Sequence, residues 1–99
     1  MLPGRPDKKY QQAEALWPDY AEAHNNLAIL LQVEGDADGA ETHHEEALRL
    51  RPNDPETHYS YALLLRARRE QQRADEHFLT AYEIAPDIEQ FRSAIEPPA

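Results

Sequence analysis

Five histidines, a cluster of acidic residues and a cluster of arginines are the side chains here with chemistry to offer. His24 and His58 stand 34 residues apart, and so do His43 and His77. A metal site would need three or four donors converging on one point. No His-x-x-x-His pair or carboxylate triad accompanies these histidines, and the chain has no cysteine. His43 and His44 are adjacent and point about 100° apart on a helix, which makes joint chelation awkward. The nearest approach the spacing suggests is His24 with His44, both at packing positions within one hairpin. The expectation is packed, hydrogen-bonded histidines, with no metal and no cofactor. If they are buried and neutral, acidification towards pH 5 should destabilise the fold. Catalytic residues are expected to be none: there is no glycine-rich phosphate loop, no thiol, and no serine or carboxylate set with a convincing base.

The elements that position these residues repeat. Residues 21–54 set above 55–88 share Glu22/Glu56, His24/His58, Ala28/Ala62, Leu30/Leu64, Leu31/Leu65, Ala40/Ala74, His43/His77, Ala47/Ala81 and Pro52/Pro86. Pro18, Pro52 and Pro86 punctuate the chain at the same interval. Each lacks the N–H that a helix interior needs and so ends one helix before the next begins. Asp19, Asn53, Asp54 and Asp87 follow as cap signals. Between the prolines apolar residues recur at helical spacing. Ala23, Leu27, Ala28, Leu30, Leu31 and Val33 predict one helix, then a turn at Glu34-Gly35-Asp36, then a helix carrying Ala40, Ala47, Leu48 and Leu50. The second block predicts a helix with Tyr61, Ala62, Leu64 and Leu65, a turn at Arg68-Arg69-Glu70, and a helix with Ala74, Phe78, Ala81, Tyr82 and Ile84. Each block is a helical hairpin that buries its apolar face only by stacking on another.

The flanks extend the pattern. Tyr10, Ala13, Leu16 and Pro18 occupy the places held later by His44, Ala47, Leu50 and Pro52, so residues 7–17 read as the second helix of an incomplete preceding repeat. Residues 88–96 read as a short capping helix with Ile88, Phe91 and Ile95 on one side. Residues 1–6 and 97–99 are tails. The expected domain is therefore a single unit over 7–96, and the half-repeat also fits an excerpt from a longer array.

Bulk properties agree with this. Ninety-nine residues, 40% hydrophobic and 29% charged, suit one small helical domain. No apolar run approaches the roughly 20 residues of a membrane span, and Met1 to Tyr10 lacks the apolar stretch of a signal peptide. The expectation is a cytoplasmic protein without membrane attachment. A net charge of −9 argues against nucleic acid as a partner, because phosphates require a basic face.

These marks resemble the tetratricopeptide repeat, whose 34-residue pattern sets large, large, small and large residues in its first helix. Its second helix has a small residue, an aromatic, another small residue and a closing proline. His24, Leu27, Ala28, Leu31, Ala40, His44, Ala47 and Pro52 hold those places in the first repeat. His58, Tyr61, Ala62, Leu65, Ala74, Phe78, Ala81 and Pro86 hold them in the second. The departures are His24 and His58 at a large apolar place, His44 at the aromatic place, and Arg69 at the turn glycine. The resemblance implies an all-α fold, an α-α superhelix of two full repeats with a leading half-repeat and a C-terminal capping helix. It also implies a protein-interaction module rather than an enzyme.

In this family the first helices of successive repeats line a concave face. Matching positions gives Glu22, Asn25, Asn26, Ile29 and Val33 from the first repeat as partner-binding residues. The second gives Glu56, Tyr59, Ser60, Leu63 and Arg66, and Gln90, Ser93 and Ala94 belong to the last helix. Members that hold a C-terminal carboxylate do so with lysine, arginine and asparagine. Here Asn25, Ile29, Ser60, Gln90 and Ala94 stand at those places, and the anionic clamp is not expected. Asn26 matches a place where some members bond a peptide backbone through an amide, although Ser60 interrupts that ladder. A peptide or helical segment with an apolar face is the expected partner.

Charge offers an alternative. Glu34, Asp36, Asp38 and Glu41 around the first hairpin turn should sit beside Arg66, Arg68, Arg69 and Arg73 around the second. Mutual salt bridges on a solvated edge are one reading. Self-association into a homodimer, through this complementary edge or an exposed end helix, is the other.

Overall fold

The structure is a computed structural model that describes residues 20–95. It contains helices α1 (Tyr20–Val33), α2 (Ala37–Leu50), α3 (Pro55–Ala67), α4 (Gln71–Ile84) and α5 (Glu89–Ile95). The half-repeat expected over 7–17 and the cap at Asp19 lie outside the described residues. α1 packs chiefly on α2 and α3 chiefly on α4, with smaller contacts joining α2 to α3, α4 to α5, and α1 to α3. Two hairpins stacked in this order make an all-α solenoid.

Small residues allow the helices to approach. Ala28, Ala40, Ala47, Ala62, Ala74 and Ala81 are fully buried, and each is one of a pair separated by one repeat. Leu50, Tyr61, Leu64, Leu65 and Phe78 fill the space around them. Ala94 and Ile95 of α5 pack against the same core, and Phe91 is buried beside it. Leu27 and Leu30 of α1 are substantially exposed, because the described hairpin covers the other side of that helix.

Both hairpin turns close in the same way. At the end of α1, Asp36 N–H donates to the Leu31 carbonyl at 2.8 Å and Gly35 N–H to that of Gln32 at 3.0 Å, with Gly35 at φ 92°. At the end of α3, Glu70 N–H donates to Leu65 at 2.9 Å and Arg69 N–H to Arg66 at 3.0 Å, with Arg69 at φ 66°. This is the Schellman arrangement, which places a left-handed residue just beyond the helix. Glycine adopts that conformation freely, whereas an L side chain is strained there.

Caps start the next helices. The Asp36 carboxylate accepts from Gly39 N–H at 2.9 Å; a Cβ at Gly39 would run into that carboxylate. Asp54 caps α3, accepting from Glu56 N–H at 3.2 Å and from the Thr57 hydroxyl at 2.9 Å. Pro55 opens this helix, where its missing N–H costs nothing.

The histidines correct the expected pairing. His24 meets His43, not His44: their Nδ1 atoms are 2.9 Å apart and the rings stack at 5.1 Å between centroids. His58 and His77 repeat this, with Nδ1 atoms 2.9 Å apart and centroids at 5.1 Å. On the second helix the inner face that meets the first helix includes position 43, whereas His44 is turned towards the next repeat. There His44 is fully buried and stacks on the Tyr61 ring, 5.4 Å between centroids. Neither His44 ring nitrogen has a hydrogen-bond partner among the described residues.

The charged turns meet one another across the two repeats. Arg68 donates to Asp38 at 2.8 Å and to Glu41 at 3.0 Å. Arg73 donates to Glu41 at 3.0 Å and to Glu70 at 2.8 Å. The Tyr61 hydroxyl donates to Glu41 at 2.6 Å and accepts from Arg73 at 2.7 Å. Burial raises the Glu41 pKa, but the hydrogen bonds from Tyr61 and Arg73 and the charges of Arg73 and Arg68 outweigh it, leaving the carboxyl below its ordinary value.

Candidate functional site

The helical period sets one face of α3 towards an open hollow. Glu56, Tyr59, Ser60 and Leu63 fall at i, i+3, i+4 and i+7, a single stripe of the helix. The opposite stripe, with His58, Tyr61, Ala62 and Leu65, is buried. On α1, Asn25, Asn26 and Ile29 form the matching stripe. These residues, with Ile88, Gln90 and Phe91 at the start of α5, line a hollow of about 300 Å³.

Its floor is aromatic and aliphatic. The Tyr59 ring stands 5.6 Å from Phe78 and 5.3 Å from Phe91, centroid to centroid, so α4 and α5 brace it from behind. Ile29 remains 40% exposed and Ile88 39%, which leaves apolar surface open to an incoming side chain.

The polar groups in the lining are few. Asn25 is only 6% exposed, yet its Oδ1 has no hydrogen-bond partner among the described residues. A buried amide oxygen left in that state is costly, so a donor arriving from outside would be welcomed. Asn26, Ser60 and Gln90 add amides and a hydroxyl that donate and accept. Among the described residues Glu56 is the one ionised side chain in the lining.

The hollow therefore brings together Asn25, Asn26, Ile29, Glu56, Tyr59, Ser60 and Leu63 of the residues expected from sequence. Glu22 and the strongly exposed Val33 lie outside it. So does Arg66, whose guanidinium lies 5.3 Å from the centre of the Phe78 ring. Ile88 and Phe91 join the lining without having been expected there; their one-sided placement on the last helix was the available signal.

The residues expected at a charged edge divide. Asp38, Arg68 and Arg73 form the network with Glu41. Asp36 caps α2 and Arg69 occupies the left-handed turn, while Glu34 is exposed in the first turn. Among the described residues no three His, Cys, Asp or Glu side chains are grouped to hold a metal ion. Among them, too, no helix is long and apolar enough to cross a membrane.

Stacked hairpins with small residues at every close approach, and a hollow between the first helices, define a helical-hairpin solenoid. The tetratricopeptide repeat pattern matches residues 19–87, well over half of the 99. The chain belongs to the tetratricopeptide repeat family. Repeats of this kind are in general protein–protein interaction modules, and they are generally not enzymes. No curated protein sequence matches the chain.

Proposed function

We propose that this protein is an adaptor that holds a peptide or short helical segment of another protein in the hollow between α1, α3 and α5. The carrying observation is the combination of an apolar floor with unpartnered polar groups in one open cleft. Tyr59, Leu63, Ile29 and Ile88 supply area for an apolar side chain, and Asn25 holds an amide oxygen that lacks a donor among the described residues. At about 300 Å³ the hollow is at the low end of ligand pockets, a size suited to one or two side chains of a longer segment.

The test is a selection of displayed random peptides on the full chain, followed by affinity measurement of the best binder against Tyr59→Ala and Leu63→Ser. Loss of binding in both variants, with helical content and melting temperature retained, supports the reading. Unchanged affinity in both places the binding surface elsewhere.

Self-association is the second reading. Leu27, Leu30 and Val33 form an exposed row on α1, 39%, 51% and 79% accessible, and a second copy would cover such a row. The internal pairing of Arg68 and Arg73 with Asp38 and Glu41 makes that row a better candidate than the charged edge. Light scattering separates the readings: a concentration-independent monomer excludes self-association, whereas a dimer abolished by Leu30→Glu supports it.

A further inference from the structure

We infer that the hollow recognises a cationic side chain, a lysine or arginine of the partner segment, with Glu56 as its counter-ion and Asn25 as a second acceptor. This rests on the hollow being the binding surface, and it names the chemistry of what enters.

Among the described residues the lining carries one carboxylate and no basic side chain. The Glu56 carboxylate forms no ion pair or hydrogen bond with any described residue, although its backbone N–H is held by Asp54. That sets it apart from Glu41, Glu46 and Glu70, whose carboxylates are engaged by arginines of the same chain.

Asn25 provides the independent observation. Its side chain is more than nine-tenths buried, it lines the hollow, and its amide oxygen accepts no hydrogen bond from any described residue. A lysine ammonium or arginine guanidinium brings several N–H donors and no acceptor. Such a head group can bond Glu56 and Asn25 together while its methylene stem lies along Ile29 and Leu63. An incoming carboxylate would instead meet Glu56 and leave the Asn25 oxygen without a donor. The net charge of −9 adds a long-range field that draws cationic segments and repels acidic ones.

The decisive experiment is a double-mutant cycle on the full chain. Peptides selected on the wild-type protein are first scored for basic residues, and the tightest binder is remade with its lysine or arginine changed to glutamine. Affinities of both peptides are then measured for wild type and for Glu56→Gln, which alters an exposed side chain and leaves the fold intact. Enrichment of basic residues is expected. Either single change should weaken binding roughly tenfold, and the two together little more than one alone. Asn25→Leu should weaken the basic peptide more than its glutamine counterpart.

Selected peptides without basic residues, or additive losses in the cycle, would overturn the assignment. Binding that still depends on Tyr59 in that case leaves the hollow as the binding surface and removes only the cation. Binding independent of Tyr59 removes both. Arg5, Lys8 and Lys9 make the start of this same chain basic, so a full-length dimer dispersed by the selected peptide would overturn a foreign partner in favour of a second copy.

Discussion

The Nδ1 atom of His58 lies 2.9 Å from that of His77, while its Nε2 lies 2.8 Å from the Pro52 carbonyl oxygen. The carbonyl can only accept, so His58 carries its proton on Nε2, and its Nδ1 accepts from His77. The first and second helices of that repeat are thus joined through a directional chain. The family's large apolar place has become a polar clasp, and in the first repeat the Nδ1 atoms of His24 and His43 meet at the same 2.9 Å.

Acidification should weaken the fold. Burial lowers the His44 pKa from 6.5 to about 4, against the raising effect of Glu41, and the charges of His43 and His77 lower it further. Burial, then the charges of His58 and Arg73, lower that of His77. Both rings stay neutral when folded, whereas in the unfolded chain they bind protons below about pH 6.5. Their stabilisation is complete above 6.5 and is lost as pH falls towards the folded-state values. For His44 alone the loss approaches about 3 kcal/mol near pH 4. Glu41, with its depressed pKa, loses its own contribution only at lower pH. Urea unfolding at intervals from pH 7.5 to 5 should show a falling midpoint; a constant midpoint would contradict the histidine account.

His44→Phe should stabilise the protein by about 1–3 kcal/mol at pH 7, by removing two buried ring nitrogens that lack partners among the described residues. Phe78 already occupies the equivalent place in the second repeat, fully packed. The same variant should flatten part of the pH dependence, which the same unfolding series reads directly.

Arg69→Gly should raise stability by about 1 kcal/mol. Arg69 holds φ 66° in the turn where Gly35 holds φ 92° in the preceding repeat. Thermal unfolding measures the gain, and a loss would show that the arginine side chain contributes more than its backbone strain costs.

Glu41→Ala should cost about 1–3 kcal/mol, because it leaves the Tyr61 hydroxyl and two arginines without their shared acceptor. Glu46→Ala, which removes an exposed pair with Arg49 one turn along the same helix, should cost under about 1 kcal/mol. Equal costs for the two variants would mean that the network joining the repeats has no special weight.

The fold was legible because alanine pairs, prolines and leucines recur at one spacing, and packing leaves little latitude once that spacing is set. The hollow was partly legible. One helical stripe gave Glu56, Tyr59, Ser60 and Leu63, but the contribution of Ile88 and Phe91 depends on how α5 seats against α4. The clasp was not legible as a pair. His43 and His44 are neighbours in sequence, and only the rotation of α2 decides which one faces His24. The Glu41 network was legible as a meeting of opposite charges on equivalent turns, but the Tyr61 hydroxyl that joins it comes from a core position.

Backbone amide shifts of the full chain, followed as the selected peptide is titrated in, report where it binds. Perturbations should concentrate on the inward stripes of α1 and α3 and at the start of α5, around Asn25, Tyr59, Leu63 and Gln90. Perturbations confined to α2 and α4, with those positions unmoved, would contradict binding in the hollow.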